Sequence, residues 1–272
     1  MDMVKRKLPV PRISWKWALF IAIGLLLLGW LVNTPVGLLG KADAVGYAVC
    51  HRIESRSFQI NGRQMPLCAR CTGMYLGAML GLAYLSITAP RRSGLAPWKV
   101  MLVFGFFVVA FGIDGVNSYL HFFPGFKGLY EPQNWLRLVT GTGLGMALSS
   151  LLFPAFNQSA WKERDERRVL ADFRSVGVLL ILGVALDLLV ISEFWPVMYI
   201  LALISSAGVL VLLIMVYSMV FLMLLRKENA YERIQQMVTP LAAGFLMAML
   251  QIATLDIIRF WLTGTWSGFN FG

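Results

Sequence analysis

An all-α, polytopic membrane domain is the fold class this 272-residue sequence predicts, on three observations. Hydrophobic residues make up 58% of the chain and mean hydropathy is +0.70. Charged residues are 14%, well under the roughly 25% of soluble domains. Apolar runs of roughly twenty residues recur along the chain, the length that crosses a bilayer as a helix. No loop between them is long enough for a separate soluble domain, so residues 1–272 read as one membrane domain.

The first helix spans roughly 15–33. Ala42-Asp43-Ala44 faintly resembles a cleavage site, but lies about ten residues past the apolar run, too far for normal processing. That helix is therefore read as uncleaved. Residues 34–67 form a long loop. In it, Phe58 to Met65 alternates around Asn61-Gly62, which predicts a small β-hairpin that folds Cys50 back toward Cys68 and Cys71. Helices at 69–89, 100–123 and 135–155 follow. A mixed-charge loop, 157–174, reads as solvated and topogenic, and three further helices occupy 174–195, 198–225 and 238–263. Gly73, Gly77 and Gly81 in the second helix match Gly141 and Gly145 in the fourth at four-residue spacing, which predicts close packing between the two. Each of those helices also begins beside an arginine, Arg70 or Arg137.

A net charge of +10 would suggest nucleic acid in a soluble chain. In a membrane protein, Lys and Arg accumulate in cytoplasmic loops, so no nucleic-acid partner is expected. With the N-terminus inside, the basic groups at 5–16, 91–99, 162–174 and 226–233 all fall inside, sixteen of the 24 Lys and Arg. The predicted orientation is N-in and C-out, in the cell membrane, with the hairpin in the first outer loop. Asp114, Asp187, Glu193, Asp256 and Arg259 then all lie in the outer parts of their helices, where ionisable groups invite a functional reading. Asp114, Asn117 and His121 share one stripe of the third helix. A polar chamber under the cysteine loop is expected, with Asn117, His121, Asn134 and Thr140 among its walls. Asp114 is expected to pair with Arg137, Asp256 with Arg259, Asp187 with an outer arginine, and Glu193 to be interfacial.

All three cysteines fall in the stretch 50–71. As metal ligands, Cys50, Cys68 and Cys71 with His51 make a three-cysteine, one-histidine set suited to tetrahedral zinc. Asp114, His121 or water are alternative fourth ligands, and a bound water would make the site catalytic, with Asp114 as ligand or base. As redox groups, Cys68 and Cys71 form a disulfide at a helix N-terminus with Cys50 as relay, and a quinone takes the electrons. A plain structural disulfide is the third reading. Arg52, Arg56, Arg63, Arg70 and Arg137 run against the charge bias and imply an anionic small molecule or lipid headgroup. Their ordinary alternative is pairing with Asp43, Glu54 and membrane lipids.

Cys50-His51-Arg52, Arg56-Ser57-Phe58, Gly62-Arg63-Gln64 and Pro66-Leu67-Cys68-Ala69-Arg70-Cys71-Thr72-Gly73 together resemble the signature of a prokaryotic family of predicted membrane proteins of unknown function. Asp114-Gly115 and Asn134-x-x-Arg137-x-x-Thr140-Gly141 resemble its second motif. Ile53-Glu54-Ser55 replaces part of a Pro-Glu element, and Asn117 or Ser118 stands near where the family carries Gln. The likeness covers roughly residues 45–150 as a family-like core, and leaves 174–263 as an extension of three helices. It implies a site and no reaction. The expected function is an extracytoplasmic zinc site with an anion pocket. The alternatives are a membrane thiol–disulfide or quinone-linked oxidoreductase, and a non-catalytic subunit with membrane-protein partners.

Overall fold

The computed structural model describes residues 15–123, 125 and 128–269; Lys5, Arg6, Lys7, Arg12 and Lys127, which enter the charge count, lie outside these. The described residues hold α1 (Trp15–Asn33), α2 (Leu38–Val49), α3 (Ala69–Thr88), α4 (Trp98–Leu120), α5 (Asn134–Ala160), α6 (Phe173–Ile191), α7 (Trp195–Leu224) and α8 (Val238–Thr263). All but α2 are long and apolar enough to cross a membrane. Helices satisfy every backbone donor within one segment, which hydrocarbon demands. The chain is a multi-pass helical membrane protein, as its composition predicts.

Three boundaries differ from expectation. The segment 34–67 contains α2, a buried twelve-residue helix that was expected as loop. α5 runs on to Ala160, so the mixed-charge segment begins later. Trp195-Pro196 starts α7 instead of ending the preceding helix, since proline in a first turn loses no hydrogen bond.

α3 and α5 form the centre of the bundle, side by side. A Cβ on Gly73 would fall on the Leu138 carbonyl, one on Gly77 on Thr142, and ones on Gly141 and Gly145 on the backbone of Arg70 and Met74. Without a hydrophobic drive between helices in lipid, this backbone approach supplies the van der Waals contact that joins them. At the other extreme α1 buries no residue at all.

The hairpin forms as predicted. β1 (Gln59–Ile60) pairs antiparallel with β2 (Arg63–Gln64), Gln59 opposite Gln64 and Ile60 opposite Arg63. Asn61 and Gly62 have φ of 50° and 78°, the two left-handed residues that a tight twisted hairpin requires. Phe58, Ile60 and Met65 bury against Ala69 and Leu76 of α3, Leu138 of α5 and Met198 of α7. Glu193, expected as merely interfacial, accepts the Gln59 N–H at 3.1 Å and ties the hairpin to the α6–α7 turn. At the opposite end, β3 (Arg92–Gly94) pairs with β4 (Asp165–Arg168), parallel. Asn157 and Gln158 donate to the carbonyls of Arg92 and Ser93. Part of the segment expected to be solvated is thus pinned to the neighbouring loop.

Candidate functional site

Two helix ends meet at the cysteines. Cys50 caps the C-terminus of α2, Cys68 stands at the N-cap of α3, and Cys71 lies in its first turn. Their three sulfurs lie within 4.8 Å of one another, all as free thiols, with Cys50 and Cys68 buried. The backbone N–H of Cys68 donates to the Cys50 sulfur at 3.3 Å. Hydrogen bonds from the Cys68 and Cys71 thiols hold Cys50 well below the ordinary thiol range, against the opposing effect of burial. Cys68, the donor in that pairing, is pushed up to about 12. The triad therefore favours one thiolate, at Cys50.

His51 is not part of the group of sulfurs. Its Nδ1 accepts the Ile53 N–H at 3.0 Å, which turns the ring toward its own chain. Burial lowers its pKa, and Arg56, Arg70 and Arg137 lower it further, against the opposite pull of Cys50, so the imidazole is neutral.

Arg259 positions the Cys50 end of α2. Its guanidinium donates to the carbonyls of Tyr47 and Cys50 at 2.5 Å each and to His51 at 3.2 Å, over the Tyr47 ring. Cation on the orphan carbonyls of a helix C-terminus is favourable on both hydrogen-bond and dipole grounds. Asp256, its expected partner, instead accepts from Trp30 Nε1 at 2.9 Å. The segment after α8 closes over this region. Phe269 N–H donates to His51, the Tyr47 hydroxyl to Thr265, and Arg52 to Trp266. Arg52 has φ of 53°, a left-handed backbone costing about 1–2 kcal/mol in a non-glycine residue. Its side chain holds that geometry by pairing with Asp43 at 2.8 Å, and Arg63 takes the other oxygen of the same carboxylate at 2.5 Å. Arg52 and Arg63 thus follow the ordinary alternative and brace the loop.

The other three arginines converge. Ser118 receives all of them: Arg56 on its carbonyl at 3.0 Å, Arg70 on Oγ at 3.0 Å and Arg137 on Oγ at 3.4 Å. The carboxylate joined to this group is Asp114, which pairs with Arg70, where Arg137 had been expected. Arg137 bonds Asn134 Oδ1 at 2.8 Å and is 5% exposed. Tyr130 donates to Asp114 at 3.0 Å; burial and that bond push its hydroxyl up to about 12, so it stays a donor. Burial lowers the pKa of Arg56, and the neighbouring Arg70 lowers it further, against the opposing pull of Cys68 and Asp114.

The remaining expected wall residues serve the scaffold. Asn117 holds the loop at Leu129 and Tyr130, and His121 Nδ1 meets the Asn117 carbonyl. Asn134 bridges Arg137 to the Ser55 carbonyl. Thr140 donates into its own helix, to Leu136 and Arg137. Asp187 pairs with Thr142 at 2.6 Å, not with an arginine. Asp114 stands with the arginines and outside the sulfur group, so the zinc-ligand role considered for it has no counterpart in this arrangement. Ser118, Tyr130 and the capping role of Arg259 were not anticipated. Ser118 carried two signals, its place one turn beyond Asp114 on the same helix and its nearness to the position where the resembled family carries Gln.

Residues 50–151 match the family described as "Predicted membrane protein (DUF2085)". An uncharacterized protein of Methanocaldococcus jannaschii is 30% identical over 120 residues, 44% of this chain and 71% of that one. An uncharacterized protein of Methanothermobacter thermautotrophicus is 32% identical over 103 residues, 38% of this chain and 83% of its own length. No solved structure matches. The family match begins at Cys50 and ends within α5, so it contains the three cysteines and Arg56, Arg70, Asp114, Ser118 and Arg137, and leaves α6, α7 and α8 outside. The chain belongs to this family of predicted membrane proteins.

Proposed function

We propose that this protein holds zinc at Cys50, Cys68 and Cys71 on the extracytoplasmic side of the cell membrane, and binds an anionic group beside it at Arg56, Arg70 and Arg137. The observation that carries the reading is the meeting of three thiols between the end of α2 and the start of α3. The donor set fits the metal. Zinc–sulfur bonds of about 2.3 Å place tetrahedral ligands roughly 3.8 Å apart, inside the 4.8 Å limit of this triad. Thiolate donors are soft, which favours zinc over magnesium or calcium. Three protein ligands leave a fourth position for water or the anion, the pattern of a reactive zinc. Bound there, zinc would act as a Lewis acid and bring a water's pKa toward neutrality.

The anion reading rests on charge. Three guanidinium groups share Ser118 with one carboxylate among their bonds, Arg137 buried and Arg56 and Arg70 half-buried, and like charges gathered this way repel unless an anion joins them. Planar guanidinium forks suit phosphate or carboxylate, as a free small molecule or a lipid headgroup. A second reading, thiol–disulfide chemistry with a quinone as acceptor, is favoured by one observation, three free thiols within 4.8 Å of one another at a helix N-terminus.

Elemental analysis of the purified full-length chain, with thiol counting, separates the two. A single zinc per chain is expected, lost in each of Cys50→Ser, Cys68→Ser and Cys71→Ser. Metal-free protein carrying an intramolecular disulfide by mass spectrometry overturns the zinc site in favour of the redox reading.

A further inference from the structure

A cavity of about 700 Å3 lies between α1 and α8, with Leu25, Gly29, Trp30, Asp256, Phe260 and Trp266 in its lining. That volume is within the roughly 300–1,000 Å3 typical of ligand sites. Its origin is visible in the sequence of α1. Gly29 has nothing within 4 Å of where a Cβ would stand, and α1 buries no residue against the bundle. α1 instead reaches α8 through the Trp30–Asp256 hydrogen bond, which leaves space beside it.

One polar group in this cavity is incomplete. Asp256 is 2% exposed, its Oδ2 accepts from Trp30, and its Oδ1 is buried with no hydrogen-bond partner. The obvious cation, Arg259, is committed to the carbonyls at the end of α2. Leaving such an oxygen unmade costs about 1–3 kcal/mol, more if it is charged. Asn33 and Thr34 also line the cavity and give a water polar partners, but the rest of the wall is mainly Leu, Ile, Ala, Phe and Trp, an apolar surface that water leaves unsatisfied. The occupant therefore brings an apolar body and one polar end.

Chemistry narrows that polar end. An ammonium satisfies Oδ1 only when Asp256 is ionised, an ester carbonyl only when it is protonated, and a phosphate is repelled by the ionised form. A hydroxyl donates to the carboxylate and accepts from the acid, so it fits both states. We infer that the α1–α8 cavity binds a membrane lipid with a free hydroxyl headgroup, its hydroxyl on Asp256 Oδ1 and its chain between the two helices. Diacylglycerol and polyprenol both carry that chemistry.

The test uses the full chain in phosphatidylcholine nanodiscs. Four photoreactive diazirine probes are compared: diacylglycerol, polyprenol, the same diacylglycerol acetylated at its hydroxyl, and phosphatidic acid. Mass spectrometry then maps the crosslinks. The expected result is labelling of peptides covering 25–34 and 253–266 by one or both alcohols, with the acetylated and phosphorylated probes weak; which alcohol labels identifies the source. Asp256→Leu removes the acceptor and loses the label. Because that variant can also disturb packing, Gly29→Phe fills the cavity from a face with open space, and it too loses the label while eluting as a monodisperse protein. Equal labelling by all four probes, labelling that survives Gly29→Phe, or no labelling by either alcohol overturns the inference.

Discussion

Arg259 and Asp256 stand three residues apart on one helix, a spacing at which opposite charges commonly pair. They do not, because the end of α2 presents three carbonyls that a guanidinium can reach at once, and Trp30 offers the carboxylate an N–H. Pair partners inside a bundle come from other helices, and sequence spacing sees only its own. Replacing Arg259 with Met removes charged hydrogen bonds worth about 1.5–3 kcal/mol each. We predict that Arg259→Met lowers bound zinc, with every cysteine intact, and lowers the thermal midpoint. Metal analysis beside a melting curve checks this, and a variant with full metal content removes Arg259 from the positioning of Cys50. Arg137 poses a different question. Arg137→Lys keeps the charge and loses the planar fork. Phosphate binding by calorimetry is expected to weaken by about tenfold or more, since one charged hydrogen bond of about 1.5–3 kcal/mol exceeds the roughly 1.4 kcal/mol of a tenfold change, with the fold unchanged. Undiminished binding sinks the role of Arg137 in the anion site.

Among the elements, the hairpin and the α3–α5 pair were legible because each depends on local backbone rules. Asn-Gly specifies two left-handed residues, and glycines at four-residue spacing specify a face without side chains. α2 was not legible. It is too short to span, and its buried positions are largely small residues, Gly40, Ala42, Ala44 and Gly46, rather than a stripe of large apolar ones. Their purpose is tertiary: a Cβ on Gly46 would strike the Pro66 carbonyl of the chain returning to Cys68. The glycines also give a paired test. Gly77→Ala places a Cβ on the backbone of Thr142 and is expected to destabilise the bundle. Gly112→Ala, with nothing within 4 Å, is expected to be neutral or to stabilise by up to about 1 kcal/mol through helix propensity. Unfolding in a mild detergent, followed by circular dichroism, compares them; similar behaviour of the two variants excludes close packing as the role of Gly77.

For the molecule as a whole, contacts sort the loops into two ends. Gln59 meets Glu193, and His51 meets Phe269, at the cysteine end. Arg92 meets Asp165, and Lys162 meets Tyr231, at the other. Charge then predicts which end faces the cytoplasm, since Lys and Arg crowd the second. In intact cells, on a background lacking the native thiols, an impermeant reagent should label a cysteine at position 63 and spare one at 162. Both positions carry exposed side chains, so access does not bias the result. The reverse pattern puts the cysteine end inside and removes the extracytoplasmic assignment.

The sequence by itself determined a helical multi-pass fold, the hairpin, the close α3–α5 pair, and the stretch that holds the cysteine cluster. Those follow from rules that act over a few residues: hydrocarbon requires internally bonded helices of a fixed length, and glycine and asparagine permit particular backbone angles. Only the tertiary structure decided which charged groups meet. It moved Asp114 to Arg70, gathered Arg56, Arg70 and Arg137 on Ser118, and set Arg52 and Arg63 on Asp43, whereas the meeting of Cys50 with Cys68 and Cys71 was already expected from the hairpin. A charge buried in a bundle takes whichever partner the packing brings within about 3 Å, and that choice is made between helices that the chain separates by tens of residues.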